Sequence, residues 1–139
     1  MVQIAAVARK AEVDANCALH NGGKLRYYTG TPPATIEASA TGTLVADFDL
    51  PNPAYQSATD SGSEATAAVN PVATTNAVAT GIVTYYRTYT SSGNDPADAV
   101  KQGTISGVGG GGDMEITNTS ITNGEPLSIG TFTYSQPRQ

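Results

Sequence analysis

The sequence is poor in the residues that most often carry chemistry. Its 139 residues include one cysteine, one histidine and no tryptophan, and only 14% of them are charged, whereas the usual share is about a quarter. The lone cysteine, Cys17, excludes an intrachain disulfide, and the lone histidine, His20, excludes three-histidine and Cys₂His₂ zinc sites. No run approaches the ~20 apolar residues of a membrane-spanning helix. We therefore predict no disulfide framework, no metal and no membrane span.

The charge balance narrows the range of partners. Acidic residues outnumber basic ones, so the net charge is −5 and the pI is about 4.5. Phosphate backbones and anionic lipids repel such a chain, so we expect neither nucleic acid nor a membrane surface as a partner. The N-terminal run MVQIAAVARKAEVD is interrupted by Arg9, Lys10 and Glu12, and no basic segment precedes it. We therefore expect no cleavable signal peptide, and synthesis in a cytoplasm.

The N-terminal segment, residues 3–20, has the periodicity of a helix. Apolar residues recur there at three- and four-residue steps: Ile4, Val7, Ala8, Ala11, Ala15, Ala18 and Leu19. Asn21, Gly22 and Gly23 follow and predict the end of the helix, because they readily adopt the left-handed geometry of a C-terminal cap. The apolar stripe is mostly alanine, so it is shallow. It suits close packing against a flat surface, either the protein's own sheet or that of a neighbour.

From residue 24 onwards the period changes to two, which indicates β-strands. Alternating or continuous apolar runs cover residues 24–28, 43–50, 81–89, 100–105, 113–117 and 127–134. GIVTYYRTY, residues 81–89, is apolar on both faces and predicts a central strand. The last run changes phase at Gly130, which predicts a β-bulge. Residues 56–80 give no clear pattern.

Pro- and Gly-rich connectors separate these short strands, an arrangement typical of a sandwich rather than of alternating strands and helices. We therefore predict a mainly β protein. Residues 1–22 would form one N-terminal α-helix and its cap, and residues 23–139 an antiparallel β-sandwich or jelly-roll-like domain.

The run GVGGGG, residues 107–112, matches the G-x-G-x-x-G fingerprint of dinucleotide-binding proteins literally. That site needs a helix after the glycines, whose N-terminus binds the phosphates. The following DMEITNTSITNGEP is β-branched and broken by Asn-Gly and Pro, so it predicts a strand. We interpret the run as a mobile, exposed connection, which an Asn-Gly turn could replace without loss of the fold.

No other group of residues predicts catalysis or cofactor binding. Asp47 with Asp49, and Asp113 with Glu115, have the spacing of a solvated strand face and supply too few oxygens for a calcium site. Cys17 and His20 lie three residues apart, but the sequence around them offers no residue to orient a relay. Tyrosines are frequent, and we interpret them as the edge of the core, with an interface or a sugar-stacking platform as alternatives.

Several segments, in order, resemble small virion proteins of tailed bacteriophages. They are the helix ending in NGG, KLRYYTGTPPAT (24–35), TGTLVADFDLPNPAY (41–55), ATGIVTYYRTYTSSG (79–93) and DMEITNTSITNGEPLSIGTFTY (113–134). The length of the glycine run, Cys17 and His20 depart from that pattern. The resemblance implies a non-enzymatic structural protein of the virion, of the capsid decoration (cement, head auxiliary) type, located on the capsid surface and made in the host bacterial cytoplasm.

The same resemblance implies the major capsid protein as partner, and a homo-oligomer, often a trimer. The predicted contact residues are Ile4, Val7 and Ala11 of the helix, Pro32 and Pro33 of the first Pro-rich loop, and Pro53 and Tyr55 of the second. We expect no catalytic residue, cofactor or metal. The alternative is a tail- or fibre-associated module that binds a host surface glycan through its tyrosines.

Overall fold

The structure, a computed structural model, describes residues 3–129 and 133–137. These residues form one helix followed by short strands, so the predicted mainly β fold with an N-terminal helix is confirmed. The elements are α1 (Ala6–Ala18), β1 (Lys24–Thr29), β2 (Leu44–Asp49), β3 (Thr59–Asp60), β4 (Glu64–Ala68), β5 (Thr75–Asn76), β6 (Gly81–Tyr89), β7 (Ala99–Gly107), β8 (Met114–Ile116), β9 (Ser120–Ile121), β10 (Pro126–Leu127) and β11 (Thr133–Pro137).

The main sheet has the strand order β2-β1-β6-β7-β8, and β9 pairs with the start of β6. Its pairs are antiparallel except for β7 and β8, which run parallel, so the sheet is mixed. As predicted, β6 is a central strand, flanked by β1 and β7. Its second half is buried on both faces, which explains why its sequence does not alternate between apolar and polar residues.

One face of the main sheet packs on the hydrophobic core. The opposite wall is formed by α1 and by a three-stranded sheet of order β11-β4-β3, while β5 and β10 form a separate two-stranded pair. Leu25, Phe48 and Tyr86 of the main sheet share this core with Val13 of α1 and Ala65 of β4. The result is a sandwich-like fold in which the helix belongs to the core. The bulge predicted at Gly130 lies outside the described residues.

The other face of the main sheet is polar, and two loops cover it. Arg87 of β6 is fully buried there. Its guanidinium donates hydrogen bonds to Asp95 Oδ1 at 2.7 Å, to Gln102 Oε1 at 2.9 Å and to the carbonyl of Thr35 at 3.4 Å. Asp95 also accepts a hydrogen bond from the amide of Ala40 at 2.7 Å. The Pro-rich segment 30–42 is therefore held against the sheet by hydrogen bonds to the buried Arg87 and to the partly exposed Asp95.

Helix α1 faces the core with the side opposite to its apolar stripe. Arg9, Val13 and Cys17 are its buried residues, at steps of four. At about 100° per residue, Ala11 lies about 200° from both Arg9 and Val13. Arg9 is buried because it forms a bidentate ion pair with Asp60, at 2.8 and 3.0 Å. Of the two alternatives for the alanine stripe, packing on the protein's own sheet or on a neighbour, the first does not occur.

The glycine run forms a closed loop between the parallel strands β7 and β8. The amides of Gly109 and Gly111 donate to the carboxylate of Glu115 at 3.2 and 3.1 Å, and the amide of Gly112 donates to Ser106 Oγ at 2.9 Å. The loop is an exposed connection, as expected, but an Asn-Gly turn joins antiparallel strands and so cannot replace it. This corrects the view that the run could be shortened freely: its length and its glycines allow the parallel pairing.

Substitution of the loop glycines tests this geometry. Gly109 and Gly111 have φ of +84° and +79°, whereas Gly107 does not have a positive φ and a Cβ there would meet nothing within 4 Å. We expect Gly109→Ala and Gly111→Ala each to lower the free energy of unfolding by about 1–2 kcal/mol, and Gly107→Ala to leave it nearly unchanged. Urea denaturation measures all three. Equal effects at the three positions would contradict the loop as described.

The ion pair between the buried Arg87 and the partly exposed Asp95 gives a second stability test. Asp95→Asn removes the carboxylate that neutralises the buried Arg87, and we expect a loss of about 3 kcal/mol of unfolding free energy. The 30–42 segment should then become accessible to a glutamyl endopeptidase at the exposed Glu37. Asp98→Asn is the matched control, because the Asp98 carboxylate accepts hydrogen bonds from Asn94 in the same turn and does not contact Arg87. A loss of about 1 kcal/mol is expected there. Similar losses for both variants would refute the role of Asp95.

Candidate functional site

Apolar residues on one side of α1 and at its two ends form an exposed surface, which we call the helix stripe: Ile4, Val7, Ala8, Ala11, Ala15, Ala18 and Leu19. Val7 is 77% exposed and Leu19 is 51% exposed. Apart from the half-buried Ile4, the whole stripe is open to solvent. Two of the three predicted contact residues of the helix, Val7 and Ala11, therefore lie on an accessible apolar face that the protein's own core does not use.

The stripe is presented on a helix that is fixed at several points. The Arg9–Asp60 ion pair attaches its first half to β3, and Arg9 also donates to the carbonyl of Ile4. The amide of Ala58 donates to Asp14 Oδ1 at 2.8 Å, which fixes the middle of the helix. Val13 packs in the core between these points. The helix is thus bound through one side, and its opposite side is free to meet another surface.

Carboxylates flank the stripe on both sides. Glu12 and Asp14 are exposed, and at about 100° per residue they lie roughly 80° to either side of the stripe's centre. The helix has no basic residue in its last turn. An acidic border of this kind favours a partner surface with basic groups around an apolar centre.

The second predicted loop lies next to the helix stripe. Between them is a pocket of about 160 Å³, which we call the α1 pocket, and its walls are Asp14, Cys17, Ala18, Asn21, Pro53, Tyr55, Gln56 and Ser57. Pro53 is exposed at its rim. Tyr55 is only 6% exposed, and its ring packs edge-on against His20 with ring centroids 5.5 Å apart. The structure therefore brings Pro53 and one edge of Tyr55 together with the helix, although the tyrosine side chain belongs mainly to the core.

The first predicted loop lies on another part of the molecule. Pro32 and Pro33 are half-buried in the segment that covers the polar face of the main sheet. The carbonyl of Pro33 accepts a hydrogen bond from Gln102 Nε2 at 3.0 Å. Since α1 packs on the opposite face of that sheet, the predicted contact residues belong to two separate surfaces, and only the helix and the 53–57 segment form a continuous one.

His20 and Cys17, the chemically reactive side chains of this region, are both engaged in the fold. A neutral His20 ring donates from Nδ1 to the carbonyl of Asn16 at 3.2 Å and accepts at Nε2 from the hydroxyl of Thr88 at 2.9 Å. Burial lowers the pKa of His20, which favours this neutral form. Burial, reinforced by the nearby Asp14, raises the pKa of Cys17 to about 11. The thiol is therefore protonated at neutral pH and is a poor nucleophile.

The tyrosines of the main sheet do not form an open platform. Tyr27, Tyr28, Tyr85, Tyr86 and Tyr89 are each at most 7% exposed. The hydroxyls of Tyr28 and Tyr89 share a hydrogen bond of 2.8 Å, and Tyr89 also donates to Asp95 at 2.7 Å. The rings that would stack on a sugar are thus covered, and the hydroxyls of Tyr85 and Tyr89 hold loops to the sheet by donating to Thr41 and Asp95.

The acidic pairs also serve the fold. Asp113 accepts from the amide of Thr104 at 2.8 Å, and Glu115 accepts from the glycine loop. Within residues 3–129 and 133–137, no group of three or more His, Cys, Asp or Glu side chains is placed to hold a metal ion. No helix in that part of the chain is both long and apolar enough to cross a membrane.

Comparison of the chain with protein-family models, with curated proteins and with solved structures found no match.

Some residues of this surface are absent from the sequence-based prediction. Asp14 and Gln56 line the α1 pocket, but neither stands out in the sequence. The helical positions of Glu12 and Asp14 on the two borders of the stripe could have been read from the same periodicity that identified the stripe. Gln56 lies in a segment without a recognisable period, so only the fold places it beside the helix.

The buried His20 predicts a pH dependence of stability. Its pKa in the folded state is below the ordinary 6.5, so between these two values the unfolded chain binds more protons than the folded one. Stability should therefore be complete above about pH 7 and should fall as the pH drops through 6.5, by at most about 1.4 kcal/mol per pH unit. We expect urea denaturation between pH 7 and pH 5 to show this slope, and His20→Gln to flatten it. A slope unchanged in the variant would rule out His20 as its source.

Proposed function

We propose that the protein is a non-enzymatic virion structural protein of a tailed phage, a capsid decoration protein that binds the outside of the major capsid protein lattice and stabilises the head. In this proposal the helix stripe and the neighbouring 53–57 segment form the contact surface. The homo-oligomeric state implied by the resemblance, a trimer included, is part of the same proposal.

The observation that carries the proposal is the orientation of α1. An apolar stripe on a helix normally faces the protein's own core. Here the core takes the opposite side of α1, which contains Arg9 and is stabilised by the Arg9–Asp60 ion pair, while Val7, Ala11 and Leu19 face solvent. Burial of apolar surface contributes roughly 25 cal/mol per Å². A partner that covers the stripe would gain this energy without any rearrangement of the fold.

The ionic character of the chain agrees with an outer location on the head. A net charge of −5 keeps the protein away from packaged DNA, which repels acidic surfaces. A protein of this size that contributes a standard interface of ~800 Å² per partner would stabilise a capsid through the number of its copies, with each copy adding a small amount.

The reactive groups support a structural role over an enzymatic one. His20 uses both ring nitrogens inside the fold, and the Cys17 thiol is buried and protonated. In the tail or fibre alternative, tyrosine rings would stack on a host sugar. Tyr85 and Tyr89 are fully buried, so their rings are not accessible to a sugar.

A charged residue in the centre of the helix stripe tests the proposal. Ala11 is exposed, so Ala11→Arg should change the free energy of unfolding of the isolated protein by no more than about 0.5 kcal/mol. We expect phage particles carrying this variant to release DNA on heating at the same temperature as particles that lack the protein. Particles with the unchanged protein should release DNA at a higher temperature.

The control is Ala97→Arg, which places the same charge on an exposed turn away from the helix. Particles with this variant should behave like those with the unchanged protein. Identical release temperatures for particles with and without the protein would refute the cement role. Full stabilisation by Ala11→Arg would refute the helix stripe as the contact surface.

A further inference from the structure

We infer that the α1 pocket is a socket for an arginine side chain supplied by the partner protein. The inference rests on the proposed function only for the identity of that partner, which would be the capsid protein. The socket itself follows from the shape, the wall chemistry and the charge of the pocket.

The pocket has the dimensions and the two-part wall that a long basic side chain requires. Its volume of about 160 Å³ is on the scale of one large side chain. Cys17, Ala18, Pro53 and one edge of Tyr55 provide apolar wall, against which an aliphatic stem can pack. Gln56 and Ser57 also line the pocket. Their side chains carry oxygen acceptors, and a guanidinium carries five N–H donors.

Asp14 supplies the opposite charge. Its Oδ1 atom accepts the amide of Ala58 at 2.8 Å, which fixes the carboxylate in position. Its Oδ2 atom has no hydrogen-bond partner among residues 3–129 and 133–137, so it is available to a ligand. A carboxylate held in this way can form a charge-assisted hydrogen bond with a guanidinium.

The end of the helix reinforces this charge. Cys17 and Ala18 belong to the last turn of α1, where the helix dipole is negative and cations are stabilised. That turn contains no basic residue of its own. Lys101 of β7 is close enough to Cys17 to oppose the rise in its pKa, but it is not among the residues that line the α1 pocket. Because the stripe continues into the pocket through Ala18, a partner that covers the stripe could insert an arginine at its edge, and arginine is among the residues most enriched at the energetic centres of interfaces.

The socket can be tested without any phage component. The probes are Nα-acetyl-arginine amide and Nα-acetyl-citrulline amide, which have nearly the same shape but differ in charge, each titrated into the ¹⁵N-labelled full-length protein. We expect arginine amide to cause saturable chemical-shift changes at Asp14, Ala18, Gln56 and Ser57. The citrulline probe should bind at least about ten times more weakly, because it cannot form the charge-assisted bond.

Two variants and a control locate the effect. Asp14→Asn keeps the acceptor for the amide of Ala58 but removes the charge, and it should abolish arginine binding. Ala18→Leu fills the pocket from an exposed helix position and should abolish binding for a steric reason, even if Asp14→Asn were to disturb the fold. Glu12→Gln removes a carboxylate from the opposite border of the stripe and should bind arginine like the unchanged protein.

Equal shifts with citrulline, or arginine binding that survives in Ala18→Leu, would overturn the inference. So would a loss of binding in Glu12→Gln as large as that in Asp14→Asn, because it would indicate unspecific attraction to an acidic helix. Arginine binding together with unchanged DNA release from particles would retain the socket and reject the capsid role. Stabilised particles without arginine binding would reject the socket alone.

Discussion

A guanidinium group without access to solvent must find its hydrogen-bond acceptors inside the protein, and this requirement organises one whole side of the molecule. Arg87 lies on the central strand β6, and its acceptors come from three places: the 90–98 turn through Asp95, β7 through Gln102, and the 30–42 segment through Thr35. Because an unpaired buried charge is strongly destabilising, these segments must stay in place together. The polar face of the sheet is thereby covered, and the remaining face is free to form the core with α1 and the small sheet.

The sequence predicted those parts of the fold in which local pattern and tertiary environment agree. The alternation in β1 and β2 and the continuous apolar character of β6 led to correct strands. A strand buried on one face alternates between apolar and polar residues, and a strand buried on both faces is apolar throughout. The strands β3, β4 and β5 lie in the region 56–80, where no pattern could be assigned. Their buried positions include small residues such as Ala65 and Ala67, whose hydrophobicity differs little from that of their neighbours.

Two features depended on contacts that are distant in sequence. The facing of α1 is decided by Arg9 and His20, polar residues that enter the interior because Asp60 and Thr88 meet them there. Periodicity alone therefore located the helix but did not determine which of its sides faces the core. The parallel pairing of β7 with β8 depends on Glu115 and Ser106, which close the glycine loop. At the candidate site, periodicity identified Val7 and Ala11, while the pocket beside them required the fold.

The alanine content of the exposed helix face has a consequence for the entropy of association. A lysine or methionine loses as much as about 2 kcal/mol of side-chain conformational freedom when it is immobilised, whereas alanine has no side-chain rotamers to lose. Ala8, Ala11, Ala15 and Ala18 therefore offer a surface that is already ordered before it meets a partner. The apolar area of this face is small, but its burial would carry almost no cost in side-chain ordering.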